Sequence, residues 1–266
     1  MFAFDALLVV AGALTGLLVG LTGVGGGAVM TPLLLLVFGV APMSAIGTDL
    51  WFAAITKVVA TRVHHGNGLI DWQVVRRLWA GSLPASALTL VWMAIYPIGT
   101  NTAAFLKVSI ACAVVLTALA MLFQKQLHAL GRRFRTTTES ADRFRSLQAP
   151  LTVAAGALLG ALVTLTSIGA GALGVVFLAY LYPLRLTPSR LIATDIVHAI
   201  PLAMFAGAGH LLIGNVNFGL LANLLIGSIP GVLAGAMLSS RLPQVFLRRA
   251  LSAILLFTGF KLLHVL

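Results

Sequence analysis

Charge is what this sequence has least of. Of its 266 residues only 9% are Asp, Glu, Lys or Arg, against 60% that are hydrophobic. A soluble domain carries about a quarter charged residues, so a chain this poor in them must turn its outer surface to lipid. Acids are scarcer still. Six stand against seventeen Lys and Arg, for a net charge of +11. Such a basic excess could suit nucleic acid, but the basic residues lie between long apolar runs, as in membrane loops. Nucleic acid is therefore not an expected partner; the bilayer is. The single cysteine, Cys112, lies inside an apolar run. That excludes a disulfide framework, and no zinc-ligand spacing exists. Neither metal nor cofactor is expected. The opening stretch, MFAFDALLVVAGALTG, lacks a basic region and carries Asp5. It reads as a retained first helix rather than a cleaved signal peptide.

What the sequence has in abundance is apolar segments. A spanning helix needs about 20 apolar residues. Candidates run over 3–21, 43–63, 74–96, 102–123, 150–167, 189–212, 217–239 and 246–264. Two shorter apolar pieces, 28–38 and 172–182, follow glycine-rich breaks and read as half-helices or return limbs of hairpins. The one polar stretch is 124–149, with Lys125, Arg132, Arg133, Arg135, Arg143 and Arg145 against Glu139 and Asp142. It reads as a cytoplasmic linker between a first membrane repeat, 1–123, and a second, 150–266.

The two halves match each other. The segment from Gly16 to Gly27 aligns with Gly160 to Gly171 at an offset of 144. With two residues inserted, Thr48-Asp49 meets Thr194-Asp195, His64 meets His210, Gly68 meets Gly214 and Asp71 meets Asn217. Gly81-Ser82-Leu83-Pro84 then meets Gly227-Ser228-Ile229-Pro230. Apolar composition alone would not bring these polar and proline positions into one register.

Charge sets the orientation. With the linker in the cytoplasm, the 62–77 loop is also inside and the loops near 40 and 98 are outside. Halves of equal orientation would put Arg185, Arg190, Arg241, Arg248 and Arg249 outside, against the positive-inside rule. An inverted second half brings these five inside. Fourteen of the seventeen Lys and Arg are then cytoplasmic, leaving Lys57, Lys107 and Lys261. The expected fold is thus an all-α integral membrane protein. It has two inverted repeats of about five membrane segments, each with a glycine-rich broken helix or helical hairpin. Inverted repeats with a site near the midplane are a common transporter plan.

Three groups of residues could carry chemistry. The first is the pair of breaks, Leu21 to Gly27 and Leu165 to Gly171. Glycines let the backbone unwind, and the half-helix that follows points its positive end at the break. With the hydroxyls of Thr22, Thr166 and Ser167, that arrangement suits a small oxyanion. The candidate binding residues are Thr22, Gly23, Gly25, Gly26, Thr166, Ser167, Gly169 and Lys57. The alternative is that the glycines serve close helix packing. Gly169-x-Gly171-x-x-Gly174 also matches a dinucleotide fingerprint, but a long apolar helix precedes it instead of a strand, so nucleotide binding is rejected.

The second group is an acid pair. Only Asp49 and Asp195 lie inside predicted spans. A carboxylate buried in lipid costs several kcal/mol or takes up a proton. The alternative is a helix cap. The third group is histidine. His198 lies one helical turn after Asp195, and His64 and His210 occupy matching repeat positions. Asp49, His64, Asp195, His198 and His210 form a candidate proton relay. Lys57, eight residues after Asp49, is a candidate salt partner or anion contact. No spacing places a nucleophile beside an oriented base, so no enzyme is expected.

These motifs resemble the TauE/SafE family of sulfite exporters and related permeases. The resemblance rests on Gly16 to Gly27, Thr31-Pro32, Ala45-Ile46-Gly47-Thr48-Asp49 and the second copy around Gly160 to Asp195. It covers nearly the whole chain apart from the linker. The second copy departs at Ser167 to Gly171, where the first has three consecutive glycines. The resemblance implies a secondary transporter of a small sulfur-containing anion, with sulfite export in the bacterial cytoplasmic membrane as the leading expectation. Proton coupling and a homodimer are further expectations. The alternative is a passive anion channel, or a permease for another small organic or sulfonate anion.

Overall fold

The computed structural model describes residues 4–22, 27–63, 69–96, 100–133, 138–239 and 244–264. Among them are eleven helices and no strand. The first half holds α1 (Ala6–Thr22), α2 (Gly27–Leu36), α3 (Pro42–Val63), α4 (Trp72–Ile95) and α5 (Thr100–Leu122). A short helix, α6 (Gln124–Arg133), follows. The second half holds α7 (Thr138–Thr166), α8 (Ala172–Leu181), α9 (Pro188–Leu212), α10 (Phe218–Leu238) and α11 (Gln244–His264).

Six of these, α3, α4, α5, α7, α9 and α10, are long and apolar enough to cross a membrane. Two segments expected to span fully differ. Helix α1 has 17 residues, because Asp5 ends it by accepting the N–H groups of Leu7 and Leu8. Helix α11 carries Arg248, Arg249 and Lys261 within its 21 residues. The polar 124–149 stretch is helical at both ends, and α7 starts inside it at Thr138.

The distribution of side chains is that of a membrane protein. Leu7, Leu14, Leu88, Leu212, Met237 and Phe257 are exposed, whereas Asp49, Lys57, Asp195, His198 and His210 are buried. Water would reverse that arrangement; lipid requires it.

Close packing follows the repeat. On α1, a Cβ at Gly12, Gly16 or Gly20 would meet the backbone of Leu224, Ser228 or Val232 on α10. On α7, a Cβ at Gly156 or Gly160 would meet the backbone of Leu78 or Ser82 on α4. The numbers rise together in both pairs, so α1 and α10 run in the same direction, as do α7 and α4. Small residues let membrane helices approach this closely, where dispersion contacts replace the missing hydrophobic drive.

The ends of the halves are also cross-linked in equivalent ways. The N–H of Asp71, N-cap of α4, donates to the Thr194 hydroxyl on α9 at 3.1 Å. The N–H of Asn217, N-cap of α10, donates to the Thr48 hydroxyl on α3 at 3.1 Å. Each pair is the repeat image of the other. At the first of these ends Arg185 binds Asp71, with Nε 2.7 Å from Oδ2 and Nη2 2.9 Å from Oδ1. The loops near residues 71 and 185 therefore share one end of the bundle.

Candidate functional site

Asp49 and Asp195 each stand seven residues after the proline that opens their helix, Pro42 in α3 and Pro188 in α9. Neither ends a helix, so the cap alternative does not describe them. It is the adjacent threonines, Thr48 and Thr194, that serve helix ends, and those ends belong to the opposite half. Both carboxylates are buried, Asp49 against α2 and Asp195 against α8.

The surroundings of the two acids differ. Thr31 of α2 donates its hydroxyl to Oδ2 of Asp49, while Oδ1 has no partner. The repeat position of Thr31 is Val175 in α8, which has no hydroxyl to give. Both oxygens of Asp195 are accordingly without a hydrogen-bond partner. One of them, Oδ1, lies 1.8 Å from where a Cβ at Gly174 would sit. Glycine is required there because the buried carboxylate occupies the side-chain space. Gly174 closes the glycine pattern that sequence reading rejected as a nucleotide fingerprint; its use here is steric.

Lys57 of α3 joins the two halves. It is 3% exposed, and its Nζ donates to the carbonyl of Ala170 at 2.9 Å. It lies within electrostatic reach of Asp195 and Asp49 but closes a contact ion pair with neither. Its repeat position is Ala203, so one ammonium serves two repeat-related carboxylates.

Ala170 belongs to the second break, between α7 and α8. There Ser167 has φ 60°, Gly169 φ 117° and Gly171 φ 118°. A non-glycine residue at positive φ is uncommon and is held only where the surroundings enforce it. The Thr166 hydroxyl is occupied: it donates to Leu162 O at 2.6 Å and accepts the Ile168 N–H at 3.1 Å. The N–H groups of Leu173 and Gly174 turn back to the Gly169 carbonyl. The Ser167 hydroxyl is buried, has no partner and stands close to Asp49. Of the first break, Gly23, Gly25 and Gly26 lie outside the described residues, as does His64.

His198 turns to α4, with Nε2 3.0 Å from the Ser82 hydroxyl, and its Nδ1 is buried without a partner. It makes no hydrogen bond to Asp195. His210 donates from Nε2 to the Thr164 carbonyl of α7 at 3.0 Å and is fully buried. Thr22 ends α1, its hydroxyl donating to Leu18 O at 2.7 Å. It faces Gly171 and Ala172 across a crevice whose wall includes Gln124 and Arg248. Those last two were not singled out in the sequence, where Arg248 looked like an ordinary loop charge.

Buried polar atoms are normally satisfied. Here Asp49, Asp195, Ser167 and His198 all keep unpartnered atoms around one lysine and one unwound segment. Buried ionisable groups gathered in this way among membrane-spanning helices make a candidate functional site. The model of the family described as "Sulfite exporter TauE/SafE" matches residues 8–262 of this chain. The chain belongs to the TauE/SafE family. Among its relatives is the "Probable membrane transporter protein YjnA" of Bacillus subtilis (strain 168), 35% identical over 96% of this chain and 98% of the relative. "Probable membrane transporter protein YdhB" of the same organism is 25% identical over 90% of this chain and 91% of its own. A "Probable membrane transporter protein" of Haemophilus influenzae is 30% identical over 67% of this chain and 64% of its own. No solved structure matches significantly. As a TauE/SafE member the chain is an integral membrane transporter and not an enzyme.

Proposed function

We propose that the protein is a secondary transporter of a small sulfur-containing oxyanion, with sulfite export across a bacterial cytoplasmic membrane as its leading function and protons as the coupling ion. The observation that carries this reading is the buried set of Asp49, Asp195 and Lys57 beside the unwound Ser167–Gly171 segment. The lysine supplies a positive charge for an anion, and the paired acids supply sites for protons. The printed description of the family supports a sulfur oxyanion as cargo. A channel needs no buried acids in repeat-related positions, and for that reason the carrier is preferred.

Inversion of the halves is part of the proposal, and three observations support it. Helices α1 and α10 run in the same direction, as do α7 and α4, which agrees with halves of opposite orientation. Asp71 and Arg185 meet, so the loops that carry them share one membrane face. That face then holds fourteen of the seventeen Lys and Arg, as the positive-inside rule favours. In a Cys112→Ser background, cysteines at Arg132 and Ser189 are expected to be protected from an impermeant thiol reagent in intact cells. Cysteines at Val37 and Leu212 are expected to react. Labelling of Ser189→Cys from outside would refute the inverted arrangement.

Flux into liposomes containing the purified protein tests the transport reading itself. Sulfite is expected to move faster than sulfate or thiosulfate, and to accumulate uphill when a pH gradient is imposed. Flux that only dissipates the anion gradient, whatever the pH difference, would favour the channel. Absence of flux for all three anions would end the sulfur-oxyanion reading.

A further inference from the structure

The last helix of each half carries a repeat relation that the earlier offset hides. Phe105-Leu106-Lys107 in α5 matches Phe246-Leu247-Arg248 in α11, and Thr117 matches Thr258, at an offset of 141. Burial supports the register. Leu106, Ile110, Val114 and Met121 are buried in α5, and Leu247, Leu251, Leu255 and Leu262 are buried in α11. Lys107 and Arg248 are thus equivalent residues, a cation conserved in sign between the two copies.

Each lines a crevice at an opposite end of the α5–α11 pair. Arg248 faces Met121, Thr22 and Gly171 at the linker end. Lys107 faces Leu262, Leu36 and Val40 at the other. Met121 and Leu262 are themselves equivalent at the same offset, so the crevices are images of one another. Both cations are half-buried, and neither has an ion-pair or hydrogen-bond partner among the described residues. A cation inside a membrane bundle ordinarily pairs with an acid or a carbonyl. Two unpaired ones at matched positions, each in a crevice, are not explained by packing.

We infer that Lys107 and Arg248 are paired anion-docking sites, one at the outer and one at the cytoplasmic mouth, which collect the oxyanion before it reaches Lys57. The inference rests on the transport reading above. A positive side chain in a low-dielectric crevice raises the local concentration of anions and speeds their capture. Arg248 also lies beside Gly171, which opens α8, so an anion held there is next to the break. The alternative source of the same chemistry is a lipid phosphate.

The test uses the full chain with Cys112→Ser, in right-side-out and inside-out membrane vesicles, with radiolabelled sulfite well below saturation. Lys107→Cys and Arg248→Cys are each expected to lower uptake about tenfold, the scale of one charge-assisted hydrogen bond. Alkylation with impermeant (2-bromoethyl)trimethylammonium, which forms a thioether that sulfite does not cleave, should restore Lys107→Cys in right-side-out vesicles only. It should restore Arg248→Cys in inside-out vesicles only. The anionic 2-bromoethanesulfonate should restore neither. A misfolded protein would not recover on gaining a charge, and Lys107→Arg and Arg248→Lys should keep most of the uptake. Cysteine variants as fast as their parent, or recovery that ignores the sign of the adduct, would overturn the docking sites while leaving transport standing. A parent that moves no sulfite refutes the transport reading instead. In liposomes the loss should be equal in neutral and anionic lipid; a loss confined to anionic lipid would assign the cations to headgroups and overturn the inference.

Discussion

Gly160→Val is expected to leave almost no folded protein in the membrane. A Cβ at this position would sit 2.2 Å from the carbonyl oxygen of Ser82, which is backbone and cannot rotate away. Helices α7 and α4 would have to separate along a contact that Gly156 and Gly81 also make close, with Cβ positions 2.3 Å and 1.9 Å from the facing carbonyls of Leu78 and Val153. Overpacking a soluble core costs about 1–3 kcal/mol. Here the separation also removes the dispersion contacts that hold membrane helices together, so the loss should fall at or beyond the top of that range. Gly16→Val should fail in the same way, since its Cβ would lie 2.4 Å from the carbonyl of Ser228. Gly219→Ala is the control, because its Cβ would meet only the Asn217 side chain at an ordinary 3.4 Å. Size-exclusion profiles of the solubilised proteins decide the matter. A monodisperse Gly160→Val protein with unchanged thermal stability would show that this helix pair does not depend on glycine.

Much of this architecture was legible in the sequence because its determinants are local. Apolar runs of the right length announce the spans. Glycine and Thr-Asp motifs recur in register and announce the duplication. What glycine does at each position was not legible. Gly16 and Gly160 open the same duplicated segments that hold the breaks, yet they lie within helices and pack against a carbonyl. Gly169 and Gly171 do form the break. Only the facing helix separates these roles, and the facing helix belongs to the other half of the chain. The same reason hid the use of Thr48 and Thr194, whose partners lie 169 and 123 residues away. Lys57 stood out as a rare intramembrane charge, but its hold on Ala170 is a tertiary fact. Lys107 and Arg248 did leave a signal, Phe-Leu-Lys against Phe-Leu-Arg. It was obscured by the shift of offset from 146 in α4 to 141 in α5.

Lys57→Met is expected to destabilise the protein, and Lys57→Met with Asp195→Asn is expected to restore folding without restoring transport. One ammonium lies in reach of two buried carboxylates, and Asp195 has no hydrogen bond to fall back on. Removing the cation leaves that carboxylate buried with no opposite charge near it, which costs stability whether it stays ionised or takes up a proton. Neutralising Asp195 removes the deficit, so the two changes should be strongly non-additive. Function should not follow stability. On the proposed mechanism Asp195 carries the proton that accompanies the anion, so Asp195→Asn alone should fold and yet lose the dependence of flux on pH. Asp49→Asn should do the same less completely, since the Thr31 hydroxyl remains beside it. His198 separates two versions of the relay. If it passes the proton, His198→Ala should flatten the pH profile as Asp195→Asn does, and the double variant should be no worse than the worse single. If its bond to Ser82 is only a tie between α9 and α4, His198→Ala should lower stability and keep the profile. Initial flux against pH, normalised to folded protein, reads all of these at once. An unchanged profile in Asp195→Asn would remove proton coupling from this site and leave Lys57 as a structural counter-ion.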